Sequence, residues 1–303
     1  MTADRRLADR RLADRRLPDR RLIVTADDFG LSHEVNEAVE EGHRKGVLTC
    51  ASLVVAGLGA ADAIRRAKAM PTLGVGLHLA FLDAPSAAPA CEIPALTDAG
   101  GDLAAKPFLT GMRIALTRSG REEARREMRA QFEAWRKSGL PLDHVDSHWH
   151  FHQHPTLTGL LIEMASEYNV KAVRVPNEPV LASWRAAGRH GLAGRAFTAA
   201  AHAALWGSLR ARLKRANIGV NDWFFGLNDG GHMVADQMVR TIANLPGGVS
   251  EIGLHPASAH PPSPHAPPGH WKLADELAGL IDPAVIDAAR AVRLGRFSDL
   301  VAA

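Results

Sequence analysis

Leu22-Ile-Val-Thr-Ala-Asp-Asp-Phe-Gly-Leu-Ser32 is the stretch on which the reading of the chain turns. Leu22 to Ala26 is a short apolar run and reads as a buried strand. Asp27, Asp28, Phe29 and Gly30 follow it, and Ser32 then caps a helix that Gly46 closes. A fully apolar strand passing directly into a helix is the repeating unit of a parallel sheet covered on both faces.

The same alternation continues outward. Strands are expected at 47–55, 73–81, 142–147, 171–175, 220–227 and 249–254. Helices are expected at 60–70, 121–138, 156–168, 180–215, 233–244 and 271–291. Two Pro-rich loops, 82–107 and 256–269, are longer than simple connections and read as lids or binding loops. No composition break marks a linker, so residues 21–303 read as one α/β domain. The fold expected is a distorted single-domain (β/α) barrel of seven or eight units with long Pro-rich loops. An open doubly wound sheet is the runner-up, but no Gly-x-Gly-x-x-Gly turn follows the first strand.

The 303 residues are 46% hydrophobic and 23% charged, an ordinary globular balance that excludes disorder as the main state. No apolar run approaches the length of a membrane span. The formal net charge of +3 is accounted for by residues 1–20, where Ala-Asp-Arg-Arg-Leu repeats. Leucine every fifth residue suits neither helix nor strand, and the repeat lacks the apolar core of a secretory signal. It is expected to be a disordered extension, with a polybasic lipid tether as the alternative. With that segment removed the chain is neutral, and aromatic residues are 5%, so no nucleic-acid partner is expected. Cys50 and Cys91 are too few for a disulfide framework or a four-sulfur zinc site and point to a reducing, cytoplasmic setting.

In parallel α/β folds functional residues sit at the C-terminal ends of strands. Asp27, Asp28, His78, Asp146, His148, Arg174 and His255 all occupy such places. Two imidazoles and a carboxylate with open positions suit a catalytic divalent metal, and Asp28, His78 and His148 are the expected ligands. Asp27 is then the general base, since adjacent residues leaving a strand point different ways, and His255 the acid that protonates a leaving amine. Arg174, His150 and His152 are the candidate substrate contacts, although Arg174 could instead pair with a carboxylate. Five of the 15 histidines fall between His144 and His154. The alternation from Asp146 through His148, His150, His152 and His154 expects an extended chain with all five on one side. His43, His190, His202, His260, His265 and His270 are read as solvent histidines.

Taken together, Leu22–Ser32, Gly76-Leu-His-Leu79, Asp143-His-Val-Asp-Ser-His-Trp-His-Phe-His152, Val173-Arg-Val-Pro176 and Glu251-Ile-Gly-Leu-His-Pro256 resemble the YdjC-like carbohydrate deacetylases. Asn36-Glu-Ala-Val-Glu40, Arg174-Val-Pro-Asn-Glu-Pro179 and Asn221-Asp-Trp-Phe-Phe-Gly226 are similar to its hopanoid-biosynthesis subgroup, HpnK. The resemblance implies a TIM-like barrel and one divalent ion, Zn or Mg, on Asp28, His78 and His148, with Asp27 as base and His255 as acid. The reaction implied is hydrolysis of an N-acetyl group from an N-acetylglucosamine-type sugar, by attack of water activated at the metal. For the subgroup the substrate is an N-acetylglucosaminyl hopanoid, giving the glucosaminyl lipid. Trp149 stands where the wider family often has a smaller or polar residue.

A lipid-linked sugar expects an apolar groove, lined by the 82–107 loop and the segment around Trp184 and Trp206, and peripheral membrane contact. A soluble N-acetylated oligosaccharide is the alternative substrate. An amidohydrolase- or phosphoesterase-like hydrolase would use His148-x-His150 as a paired metal motif, whereas a non-enzymatic metal- or lipid-binding module would leave Asp27 and His255 without a role. A homodimer is the assembly expected from the frequency of symmetric pairs.

Overall fold

The computed structural model describes residues 19–301, and in it the opening run becomes β1 (Arg20–Phe29), buried from Leu22 onward. Seven further strands follow in parallel: β2 (Cys50–Leu53), β3 (Gly74–Leu79), β4 (Val145–Ser147), β5 (Ala172–Val173), β6 (Gly219–Val220), β7 (Trp223–Phe225) and β8 (Gly248–Leu254). Their order is β6-β5-β4-β3-β2-β1-β8-β7. Each strand neighbours its sequence neighbour and β1 closes onto β8, which is the order of a barrel rather than of a doubly wound sheet. The eight strands curl into a half-barrel. A ninth short strand, β9 (Arg293–Leu294), pairs with Arg21 and Leu22 of β1.

Helices alternate with the strands: α1 (His33–Lys45), α2 (Ala60–Lys68), α3 (Pro107–Leu116), α4 (Arg118–Ser138), α5 (Pro155–Ala165), α6 (Val180–Ala186), α7 (Leu192–Arg215), α8 (Ala235–Ala243), α9 (Leu273–Leu280), α10 (Pro283–Ala289) and α11 (Phe297–Leu300). The α1 boundaries follow from local chemistry: the Ser32 side chain accepts from the Val35 amide and Gly46 ends the helix. One continuous apolar cluster fills the space between helices and sheet, including Leu22, Val24, Leu53, Leu77, Phe132 and Ile252.

Four expectations change. Residues 1–18 of the expected N-terminal extension lie outside the described residues, but Arg20, the last residue assigned to it, pairs with Gly248. The helix expected at 180–215 is two, separated where Gly188, Arg189 and Gly191 turn left-handed. The one expected at 271–291 breaks between α9 and α10, where Asp282 recaps the chain ahead of Pro283. The strand expected at 220–227 is also split: β6 pairs with β5 on one edge and β7 with β8 on the other, so the chain crosses the open seam within two residues. Asn221 makes that crossing possible. Its buried amide accepts from Val175 N (2.7 Å) and donates to Val175 O (3.0 Å) and Trp223 O (2.9 Å), replacing ladder bonds the seam lacks.

Candidate metal centre and active-site cleft

The β1–β2 register shifts between Ala26 and Phe29, and Asp28 takes φ 62°. Asp is among the few residues that tolerate the left-handed region. This bulge turns two adjacent carboxylates toward one end of the barrel, where a regular strand would send them to opposite faces. Gly30 completes the turn at φ +90°, where a Cβ would lie 2.6 Å from Leu53. Asn36 of α1 fastens it, its Oδ1 accepting from Gly30 N at 2.8 Å.

Around this bulge the fold gathers the expected ligands. Asp28 Oδ1 lies 3.1 Å from His148 Nδ1 and 3.6 Å from His78 Nε2. Ligand atoms of the three residues all fall within 4.8 Å of one another. Metal–ligand bonds of about 2 Å place the ligand atoms of one ion roughly 3 to 4 Å apart, so the set fits a small divalent ion. Behind it, His78 Nδ1 bonds Asp146 Oδ1 at 2.9 Å, the carboxylate–imidazole support common at metal centres. Burial alone would raise the Asp28 carboxyl, but His148, His255 and His78 hold it well below the usual carboxylate range. Burial would likewise lower His78, yet Asp146, then Asp27 and Asp28, raise it to about 9.

Asp27 is set by Arg174. The guanidinium grips it through two bonds, Nη1 to Oδ2 at 2.7 Å and Nη2 to Oδ1 at 2.8 Å. Arg174 also reaches Glu251 at 2.8 Å and Asp146 at 2.7 Å, and it is wholly buried. Burial works against its charge, but the three carboxylates push its pKa up further. Arg174 therefore stands behind Asp27 and does not line the cleft. His152 is similarly occupied, with Nδ1 on Ser147 Oγ (2.7 Å) and Nε2 on Arg174 O (2.8 Å). Burial lowers it to about 4, which keeps it neutral.

The expected extended His tract is a tight 3-10 turn over His148–Gln153, with Trp149 at φ 55° and His150 at φ 52°. Curling breaks the period-two alignment and sends the histidines to different places: His148 to the ligand set, His150 to the cleft wall, His152 beneath it. His150 keeps a buried, unpaired Nδ1. Among the described residues it joins no ligand cluster, so the His148-x-His150 motif of the amidohydrolase-like alternative does not form.

The cleft has a volume of about 450 Å³, and Asp27, Asp28, His78, His148 and His255 all line it. His255 approaches from β8. Its backbone N donates to Glu276 Oε2 at 2.6 Å, its ring lies 4.7 Å from Trp271, and its Nδ1 is unpaired. Burial lowers the His255 imidazole, against the pull of Asp28 and Asp27. Trp149, Leu227, Pro267, Pro268 and Trp271 give the mouth its apolar surface. The groove expected from the 82–107 loop, Trp184 and Trp206 is not what lines it. Only Asp83 comes from that loop, and Trp206 is buried against His202.

Three residues here were invisible to sequence reasoning. His265, read as a solvent histidine, bridges Asp83 (3.2 Å) and Asp102 (3.1 Å) and so ties the two Pro-rich loops together over the cleft. Glu276 and Trp271 sit at the start of the last helical stretch, where only the fold brings them to His255. His43, also read as solvent-facing, fastens Leu48 O and Thr72 Oγ1.

Carbohydrate deacetylases from Brevibacillus brevis and Geobacillus stearothermophilus are 42% and 35% identical to the chain, over 155 and 158 residues, or 51% and 52% of it. The aligned part spans 59% of the length of each relative. A solved protein of Enterococcus faecalis V583, a candidate cellobiose-phosphate cleavage protein, superposes with a TM-score of 0.70 at 20% identity, covering 93% of this chain and 99% of that one, and so shares the fold. The family model for YdjC-like proteins matches residues 21–291, from β1 through α10, and the chain thus belongs to the YdjC-like family.

Proposed function

We propose that the protein is a metal-dependent carbohydrate N-deacetylase that removes the N-acetyl group from an N-acetylglucosamine-type sugar carried on a hopanoid lipid. The observation that carries the reaction is the meeting, in one cleft, of the Asp28–His78–His148 set with Asp27 and His255. The relatives of this chain that are named carbohydrate deacetylases support the substrate class. The hopanoid rests on the residues shared with the hopanoid-associated subgroup.

A divalent ion held by Asp28, His78 and His148, with Zn and Mg both suited to the donor set, would supply Lewis-acid polarisation of the acetamide carbonyl and acidify water. Asp27 is oriented by Arg174 to take the proton of the attacking water. His255 donates a proton to the departing sugar nitrogen, and its lowered pKa makes its protonated form a stronger acid. Trp149 and Trp271 offer flat apolar faces for the sugar ring, and the unpaired Nδ1 of His150 offers a polar contact. Both cysteines are unpaired, which suits the reducing cytoplasm.

The test is mass spectrometry of N-acetylglucosaminyl bacteriohopane and of diacetylchitobiose after incubation with metal-loaded protein, with Asp27→Asn as control. Loss of one acetyl from the hopanoid, absent in the control, is expected. Loss from the chitobiose alone would keep the reaction and remove the lipid substrate. No loss from either would refute both.

A further inference from the structure

Large apolar side chains left exposed on a folded chain are informative when they gather on one face. Four of them lie on α3: Phe108 (74% exposed), Leu109, Met112 and Leu116 (79%). Their spacing makes one helical face, and the opposite face buries Thr110 and Ile114. The remaining exposed large apolar side chains among the described residues lie on the β2–α2 loop, on the turn after β4 (Trp149), on α6 and in the first two turns of α7.

In a parallel half-barrel a helix following a strand starts at that strand's C-terminal end. All these positions fall between a strand's end and the opening turns of the next long helix. They therefore share the end of the barrel that carries Asp28, His78 and His148. Two contacts place the outlying pieces there directly. Gly111 of α3 faces Phe151, its Cβ position 3.6 Å from the ring, and Phe151 belongs to the turn after β4. Arg195 in the first turn of α7 bonds Glu178 and Asp229, both on loops at that end.

The charge within the segments that carry most of this apolar surface has one sign. Residues 103–121 contain no Asp or Glu but hold Lys106, Arg113, Arg118 and Arg121, all exposed. Residues 179–221 also lack any acid, with Arg185 and Arg189 exposed. No described helix is long and apolar enough to cross a membrane. An apolar helical face bordered by cations suits a helix lying in the headgroup region of an anionic bilayer. A symmetric second copy would set these cations against one another.

We propose that the C-terminal end of the half-barrel docks on an anionic lipid surface, with α3 seated in the interface and the cleft mouth, marked by Trp149, turned toward the membrane. Delivery of a lipid-borne sugar to that mouth rests on the deacetylase reading, whereas the docking itself does not.

The experiment is co-sedimentation of the full chain with vesicles of phosphatidylcholine, with and without phosphatidylglycerol. The Phe108→Ser/Leu116→Ser and Arg118→Glu/Arg121→Glu double variants are run beside it, with circular dichroism as a check on folding. Wild type is expected to bind the phosphatidylglycerol vesicles at least about tenfold more tightly, in a salt-sensitive way. Each double variant should lose about tenfold or more of that binding. Acetyl loss from soluble diacetylchitobiose or from detergent-dispersed N-acetylglucosaminyl bacteriohopane, whichever wild type hydrolyses, should be unchanged in both. Absence of wild-type binding, or equal binding by the variants, overturns the proposal. So does a wild-type dimer in sedimentation velocity that the apolar double variant splits, since a second copy would then cover the face. Vesicle binding without acetyl loss from either the hopanoid or the chitobiose would sustain the docking and count against the deacetylase reading.

Discussion

Asp28 carries two demands that most residues cannot meet together, a carboxylate for the proposed metal set and a left-handed backbone at φ 62°. Asn satisfies the second and not the first. Asp28→Asn should therefore fold with stability within about 1 kcal/mol of wild type while losing bound metal, whereas Asp28→Ala should also lose roughly 1–2 kcal/mol to backbone strain. Elemental analysis beside urea denaturation separates the two effects. Glu276 gives a pH signature. Burial, only partly offset by the Met233 and His255 amides, raises its carboxyl from 4.5 to about 7. The folded state then holds a proton that the unfolded chain has released, so this contribution to stability is complete below pH 4.5 and disappears as pH rises to about 7. Glu276→Gln should accordingly gain on wild type, by up to about 3 kcal/mol, between pH 5 and 8 in urea titrations. At this scale the sequence was readable where a residue ends a strand, as Asp27, Asp28, His78, His148 and His255 do. It was opaque where burial decides: Arg174 has the chemistry of a substrate contact, and only the fold shows it enclosed by three carboxylates.

Elements whose limits are written in neighbouring residues were legible. The Ser32 cap and Gly46 stop of α1 are local, and so is the apolar run of β1. The turn after β4 was not, because alternating histidines suit a strand as well as they suit a coil that tertiary contacts curl. Ser147 Oγ pins that coil, accepting from the His152 amide at 2.9 Å. The β6–β7 split was equally hidden, since its pairing partners are distant in sequence. Asn221 is the residue on which it depends. Asn221→Ala would take the side-chain partner from Val175 N and Trp223 O and leave Val175 O only the Asn177 amide, and about 2 kcal/mol of stability should be lost. Faster amide exchange at Val175 should accompany the loss, and unchanged exchange there would show that the seam is held by something else.

Across the whole molecule, the interior of the half-barrel is unlike the layers of branched aliphatic residues that fill many barrels. Thr25, Ser52, His144, Asp146, Arg174 and Glu251 are all buried there and hydrogen-bonded to one another or to the cleft residues. Removing the central cation should be far costlier than deleting a methyl group. Arg174→Met leaves Asp27, Asp146 and Glu251 close together without their shared cation, and about 3–5 kcal/mol should be lost. The loss should shrink in acid as those carboxylates take up protons, which denaturation at two pH values would detect. Composition and alternation were enough to foretell a barrel, because they report how many units there are. They could not report that the ring is left open between β6 and β7, which depends on how the units meet.

The place of β1 also bears on how the protein is made. Thr25 pairs with Cys50 on one side, and Ile23 pairs with Glu251 on the other. The strand that carries Asp27 and Asp28 leaves the ribosome long before β8, the strand that flanks it on the other side. Until β8 is synthesised, β1 presents an apolar edge with nothing beside it, and His255 has not been translated. The nascent chain must therefore shelter that edge until β8 follows, and it gains its cleft only once His255 has been added.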